Sequence, residues 1–194
     1  VDYRELDRRA VEASRAVVAT VTVDQLELPT PCAAWNLREL LVHLIDQHRG
    51  FAAAARGNGA DLSAWRGAEL GDDPVAAYDR AADEVLAAFA EVDDLDRMFE
   101  LPEFGQPFPA KYAIGFHFID YVVHAWDVAR TVGIPHGIDE DLAVAAWPIA
   151  DRVPTELRPG QEKRAFERAL PAVADAAPMD RLLARLGRNP AWAP

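Results

Sequence analysis

Along most of the chain, apolar residues recur three and four positions apart rather than at every second one, the period of helices buried along one stripe. Leu6, Ala10, Ala13, Val17 and Val21 predict a first helix over residues 2–21. Pro29 and Pro31 block continuation and mark a loop. The stretch NLRE then reads as a capping box, Asn36 at the N-cap and Glu39 three residues on, opening a second helix whose core stripe is Leu37, Leu40, Leu41, Leu44 and Ile45. That helix should end near Gly57. Residues 57–72 read as a loop. Asp73 and Pro74 start a third helix that runs to about Glu91. Residues 93–109, ending LPEFGQPFP, read as a long irregular connection, the kind that in a compact domain is functional or packed rather than idle. A fourth helix over about 110–132 stops at Gly133, a natural C′ residue. GIDEDLAVAAWPIADRV predicts a fifth helix kinked by Pro148, and PMDRLLARLGRNP a last short helix between Pro178 and Gly187. Residues 154–177 are Pro-rich and carry no clear pattern. No repeat, low-complexity tract or run of alternating β-branched residues interrupts this, so the expected class is all-α, four long helices in an antiparallel bundle with helical tail elements.

The fourth helix departs from ordinary amphipathicity. In FHFIDYVVHAWDVARTVG (116–133), His117, Asp120, His124 and Asp127 are interleaved with Phe116, Ile119, Val123 and Trp126. At 100° per residue, Asp120 falls inside the apolar sector with His124 about 40° away, one turn along. A bare carboxylate buried there costs several kcal/mol, so it should be paired or metal-bound. Asp120 and His124 stand i, i+4, the spacing at which two helical side chains meet one ion. His43, at the edge of the second helix's apolar stripe, is the best third ligand. Together they would make a two-histidine, one-carboxylate site with open positions, suited to zinc, iron, nickel or manganese, among which the spacing does not choose. A buried hydrogen-bonded Asp120–His124 pair with His43 half-exposed is the competing reading.

Other candidates carry less. His117 is expected either to hold a ligand or water or to be structural. Asp127 is expected to pair with Arg38 or Arg130 or to orient a ligand histidine, and both His117 and Asp127 are candidate catalytic bases. His48, about 140° round from His43, is expected to be solvated or to pack. His136 is expected exposed in a loop. Trp35 and Trp126 read as core. Arg56, Arg66 and Lys111 are candidates to receive cofactor or substrate carboxylates. Cys32, the one cysteine, excludes a disulfide within the chain and any multi-cysteine zinc knuckle, and reads as a small buried hydrophobe. There is no GxSxG, P-loop or GxGxxG motif.

Bulk properties narrow the partners. A net charge of −12 over 194 residues argues against nucleic acid. No apolar run approaches the roughly 20 residues of a membrane span, and VDYRELDRRA is charged and lacks an apolar signal core, so a cytoplasmic location is expected. Either a monomer or a homodimer is compatible with this pattern.

TPCAAWNLRELLVHL (30–44), DYVVHAWDVARTVG (120–133) and DRLLARLGRNPAW (180–192) resemble the actinobacterial metal-binding group related to the N-terminal domain of mycothiol-dependent maleylpyruvate isomerases, within the DinB/YfiT-like superfamily. The resemblance implies an up-down-down-up four-helix bundle over residues 1–133 with a divalent metal between helices, and a helical extension over 134–194. It places the family's ligands at His43, Asp120 and His124, with aspartate where the characterised isomerases have glutamate. Those isomerases also carry a larger C-terminal domain than the short tail here. The implied activity is that of a thiol (mycothiol)-dependent transferase or isomerase acting on a small electrophile. A metal-dependent hydrolase and a non-catalytic metal or small-ligand binding protein are the alternatives.

Overall fold

In a computed structural model that describes residues 1–154, 165–171 and 175–193, the expected helices form and their ends follow the local chemistry. They are α1 (Arg4–Val18), α2 (Leu37–Ala55), α3 (Pro74–Ala90), α4 (Ala110–Val132), α5 (Glu140–Ala150) and α6 (Pro178–Arg185). The capping box at α2 is present on both arms: Asn36 Oδ1 accepts from Glu39 N at 2.9 Å, and Glu39 Oε2 accepts from Asn36 N at 3.1 Å. Asp73 accepts from Ala76 N at the head of α3, with Pro74 at its first position. Gly133, at φ 76°, closes α4 in the left-handed conformation that a side chain would strain. Pro148 lies in the last turn of α5. Most of residues 154–177, the stretch without a pattern, lies outside the described residues.

The connection before α4 is a correction. It holds an antiparallel hairpin, β1 (Met98–Leu101) paired with β2 (Gln106–Pro109), joined by a tight 3-10 turn over Pro102–Phe104 and Gly105. Its prolines hid it, because Pro107 and Pro109 argue against a central strand. In a two-stranded sheet both strands are edges, where a missing N–H costs little. Phe99 and Leu101 alternate inward while Met98 and Glu100 face out.

α1 packs on α4 and α3, and α2 packs on α3 and α4, so each of the four long helices touches two others. The main core runs between them from Leu40, Leu41 and Leu44 to Val122, Ala125 and Ala129. A second cluster around Phe51, Phe89, Phe99 and Ile114 seats the hairpin against α2 and α4. α5 and α6 pack on one another, and α5 also lies on α4. Among the described residues no helix is long and apolar enough to cross a membrane.

Candidate metal centre

α4 is buried almost all round, so its polar residues cannot escape to solvent and must be satisfied by neighbouring elements. They divide into two clusters. In the first, His43 from α2 faces Asp120 and His124 from α4: His43 Nε2 lies 3.4 Å from Asp120 Oδ2, and His124 Nε2 lies 3.3 Å from Asp120 Oδ1. One donor atom from each residue lies within 4.8 Å of the other two, and among the described residues this is the one such group of three or more histidine, cysteine or acidic side chains. The orientations do not make hydrogen bonds: His43 Nε2, His124 Nε2 and Asp120 Oδ2 are buried and have no hydrogen-bond partner. Metal–nitrogen and metal–oxygen bonds of about 2.0–2.1 Å at a tetrahedral centre put neighbouring ligand atoms about 3.3 Å apart. The 3.3 and 3.4 Å separations are of that size and run to the two different oxygens of Asp120, one from each histidine. Two imidazoles and a carboxylate that turn buried, unpartnered atoms toward one another therefore suit a divalent ion.

The supports around these residues are as informative as the residues. His124 Nδ1 donates to Asp127 Oδ2 at 2.8 Å, which leaves Nε2 as the nitrogen turned to Asp120. Asp127 is held in turn by Arg188 from the C-terminal tail, with Nε 3.1 Å from Oδ1 and an Nη2 contact of 2.9 Å to Oδ2. All three side chains are fully buried. Arg188 also donates to the Leu186 and Ala165 carbonyls, which ties the tail to the site. Trp35 stacks on His43 with ring centroids 4.3 Å apart and planes at 24°. The TPCAAW loop places it there, because buried Thr30 donates to the carbonyls of Cys32 and Trp35, and Trp35 N reaches the Cys32 carbonyl. Phe166 stacks over the other histidine, His124, at 6.0 Å.

The electrostatics agree with the geometry. Burial pushes the Asp120 carboxyl up, but His124 and His43 outweigh it and hold the group well below the usual carboxylate range. Burial pushes His124 down, yet Asp120 and Asp127 hold its pKa above the ordinary histidine value. Asp127 is pushed up by burial and pulled down further by Arg188 and His124, so it stays ionised.

The site opens on the His43 side. Its side chain is 16% exposed against none for His124. His43 lines a cleft of about 370 Å³ along α2 between Trp35 and Trp65, whose wall includes Arg38, Glu39 and Asp46. A hollow of about 380 Å³ at the end of α4, beside Arg130 and Gly133, lies elsewhere and holds no ligand set; its Arg130 donates to the Trp192 carbonyl.

The second cluster is His117, His48 and Asp7, all fully buried. His117 Nδ1 is 2.6 Å from Asp7 Oδ1, and His117 Nε2 is 3.1 Å from His48 Nδ1. His117 thus spends both ring nitrogens away from the candidate centre, and His48, expected solvated or packing, is a buried hydrogen-bonding link stacked 4.0 Å from Tyr121. The 140° that separates His48 from His43 turns it to the inner face of α2, not to water. Asp127 pairs with neither Arg38, which binds Glu27, nor Arg130. Neither candidate base therefore faces the cleft. Arg56 is paired with Glu84 and Glu91 and Lys111 with Asp96, and neither lines the cleft. Arg66 is exposed beside Trp65 and is also outside the lining. Trp35, read as core, is half-buried and forms a wall of the cleft, whereas Trp126 is buried. His136 is half-buried and accepts from Ile138 N. Arg188 and Asp7 were not singled out from sequence. The one signal for Arg188 is its place in the RLGRNPAW tail.

Comparison with known proteins follows the same residues. A family profile described as mycothiol maleylpyruvate isomerase N-terminal domain matches residues 8–129, which include all three candidate ligands. An uncharacterized protein of Mycobacterium tuberculosis, Rv0738 in strain ATCC 25618 / H37Rv and MT0763 in strain CDC 1551 / Oshkosh, is 30% identical over 189 residues, covering 94% of this chain and 95% of the relative. No solved structure matches at a significant level. The chain belongs to the mycothiol maleylpyruvate isomerase N-terminal domain family, a DinB-like family.

Proposed function

We propose that this protein is a divalent-metal-dependent transferase or isomerase that uses a low-molecular-weight thiol, mycothiol by family, on a small electrophilic substrate. The observation that carries the reading is the convergence of three unpartnered buried donor atoms, on His43, Asp120 and His124, at the edge of an open cleft. A divalent ion held there lowers the pKa of a ligating thiol and makes its thiolate available at neutral pH.

The chain's own residues do the rest. His43 and His124 offer Nε2, and Asp120 offers an oxygen and one compensating charge. Asp127 keeps the Nδ1 proton on His124, so that Nε2 stays a lone-pair donor, and Arg188 keeps Asp127 ionised; partners of this kind orient a ligand histidine and raise its basicity. Trp35 fixes the His43 ring from the cleft side. The four mutually packed long helices suit the up-down-down-up arrangement of DinB-like proteins, with residues 134–194 read as an extension whose Arg188 supports the site. The hydrolytic reading needs a base at the open side, and the two residues offered from sequence, Asp127 and His117, are buried and engaged.

Elemental analysis of the purified chain beside His43→Ala, Asp120→Ala and His124→Ala tests this reading. Near-stoichiometric metal in the native protein, lost in each variant, is expected, followed by turnover of electrophiles that requires added thiol. A folded native chain that takes up no metal on reconstitution overturns the site, and metal-dependent turnover without thiol overturns the thiol chemistry.

A further inference from the structure

The two candidate ligand histidines are held by different means, and the difference falls on the nitrogen each turns away from Asp120. His124 is fully buried, and its Nδ1 is bonded to Asp127 Oδ2 at 2.8 Å, so that nitrogen is spent inside the protein. His43 has no such support. Its Nε2 is buried beside Asp120, yet its side chain is 16% exposed, so the exposure lies along the other edge of the ring, where Nδ1 is. Among the described residues no group makes a hydrogen bond with that Nδ1. The ring is held instead by its neighbours' faces. Trp35 stacks on it at 4.3 Å and 24°, and His124 meets it edge-on at 5.3 Å and 76°. Trp35 is itself fixed, since its N–H reaches the Cys32 carbonyl at 2.9 Å and its own carbonyl accepts from Thr30 Oγ1 at 2.8 Å. A ligand histidine ordinarily gives its second N–H to a carboxylate, a carbonyl or water. At His43 an indole does the orienting, and stacking consumes no N–H.

An imidazole that offers its Nε2 lone pair to an ion carries its one proton on Nδ1. At His43 this N–H stands at the wall of the cleft of about 370 Å³. Gln47, one turn along α2 in the same lining, adds an amide that can donate or accept. The far end of the cleft is closed by Trp65, which donates Nε1 to the Gly59 carbonyl at 2.8 Å and lies on α2 at Gly50, where a Cβ would fall 2.2 Å from Trp65 Cε3. Gly50 is therefore the residue that admits the Trp65 ring.

We infer that His43 serves twice: Nε2 faces the metal, and Nδ1–H donates a hydrogen bond to a carbonyl-type oxygen of the molecule that occupies the cleft. Trp35 is the positioning residue that permits this, because it orients the ring without taking the N–H. The inference deepens the metal- and thiol-dependent reading proposed above and rests on it. A cation on Nε2 polarises the ring and makes Nδ1–H a stronger donor, in the manner of other charge-assisted hydrogen bonds. The donor accepts an amide, ester, ketone or carboxylate oxygen alike, so it sets the orientation of the occupant rather than its charge.

NMR of the zinc-loaded full chain with labelled histidine tests the first half directly. His124 Nδ1–H, held by buried Asp127, should exchange with water at least about 100-fold more slowly than His43 Nδ1–H. Equal protection of the two would show the His43 proton engaged within the protein and overturn the inference. Replacing His43 with Nδ1-methylhistidine keeps the Nε2 lone pair and removes the donor. In the cobalt-loaded chain, the thiolate-to-metal absorption band reads binding of N-acetylcysteamine, which carries an amide oxygen, and of 1-propanethiol, which carries none. The methylated chain should keep its metal, lose about tenfold or more in N-acetylcysteamine affinity and stay within about twofold for propanethiol. Equal losses for both thiols, or none for either, overturn the inference. Trp35→Phe, which keeps a ring over His43, should hold N-acetylcysteamine affinity within about threefold, whereas Trp35→Leu should lose about tenfold. Leucine serving as well as phenylalanine overturns the part given to the stack. If neither thiol ligates cobalt, the thiol reading fails by itself. Acetamide then becomes the probe, expected to slow exchange of His43 Nδ1–H in the zinc-loaded chain, and no slowing overturns the donor role as well. A chain that takes up no metal overturns both readings.

Discussion

Arg188 is the residue whose removal tests the support of the candidate site most directly. Its guanidinium is fully buried, makes three contacts of 3.2 Å or less to the Asp127 carboxylate, and has no exposure through which water could replace it. Arg188→Met keeps most of the volume and removes the charge, which leaves Asp127 ionised in the interior with only His124 as partner. Breaking a buried pair from one side costs about 3–5 kcal/mol. Urea unfolding of the metal-free chain in chelator should show a loss of that size in Arg188→Met. Removing the second charge as well, in Asp127→Asn/Arg188→Met, should recover much of it, because the amide oxygen of the introduced asparagine can still accept the His124 Nδ1 proton while the stranded charge is gone. The coupling in the double-mutant cycle should then be large, at the upper end of the roughly 0.5–3 kcal/mol seen for residues in contact. Metal affinity, read by competition with a chromophoric chelator, should fall about 10- to 100-fold in the single variant, the usual effect of losing a partner behind a ligand histidine. A loss under about 1 kcal/mol, or additive single and double variants, would refute the claim that the tail holds the site through a buried ion pair.

Four other outcomes follow from the same geometry. His124, its pKa raised by Asp120 and Asp127, contributes stability to the metal-free chain that is fully present below the ordinary histidine value of about 6.5 and is lost as pH rises through the higher folded-state value. Metal-free unfolding free energy should therefore decline upward from about pH 6.5, while metal affinity, which needs that proton gone, should rise over the same range; titrations at several pH values check both slopes. His117→Phe strands Asp7 and should destabilise the chain by about 3 kcal/mol or more with metal stoichiometry intact, and adding Asp7→Leu should restore much of the loss, as denaturation and elemental analysis can show. Cys32, buried with its thiol pushed up to about 12, should react with a disulfide reagent only at the rate of unfolding. Gly50→Ala should displace Trp65, seen as a shift in tryptophan emission, without loss of metal.

Helix positions were legible because the residues that end them act locally: Asn36 and Glu39 close on one another within one turn, and Gly133 needs only its own backbone. The hairpin over 98–109 was not legible, since its strands are stabilised by Phe99 and Leu101 docking on distant helices and carry prolines that propensity reads as breakers. At the site, the Asp120–His124 spacing was visible within one helix, and His43 could be placed on the facing stripe of another. Their meeting within 4.8 Å is a property of how α2 packs on α4. Asp127 shows the limit. One helix offers it Arg130 at i+3, but the packed chain pairs it with Arg188, 61 residues on, and nothing local in a short tail announces an arginine that will be fully buried. His48 shows the same limit from the other side, because an angle measured within one helix says which way a residue points and not what will be waiting there.

α4 carries two histidine–carboxylate clusters, and the difference between them separates a ligand set from a buried network. In Asp7–His117–His48, hydrogen bonds run in a chain across α1, α4 and α2, so protons lie on the lines between heavy atoms; the two unpartnered atoms, Asp7 Oδ2 and His48 Nε2, belong to the two ends of that chain. In His43–Asp120–His124, the two closest approaches run from the histidines to different oxygens of one carboxylate, and neither lies on a good hydrogen-bond line; His124 Nε2 is an acceptor there because its Nδ1 proton is held by Asp127. A buried carboxylate facing an imidazole lone pair is an unfavourable arrangement unless a positive charge stands between them. In the metal-free chain a proton can supply that charge, and Asp120 and Asp127 raise the pKa of His124 in that direction. A divalent cation supplies it without the proton. The opposite pH slopes expected for metal-free stability and for metal affinity are thus one statement: proton and metal compete for the His124 lone pair beside Asp120.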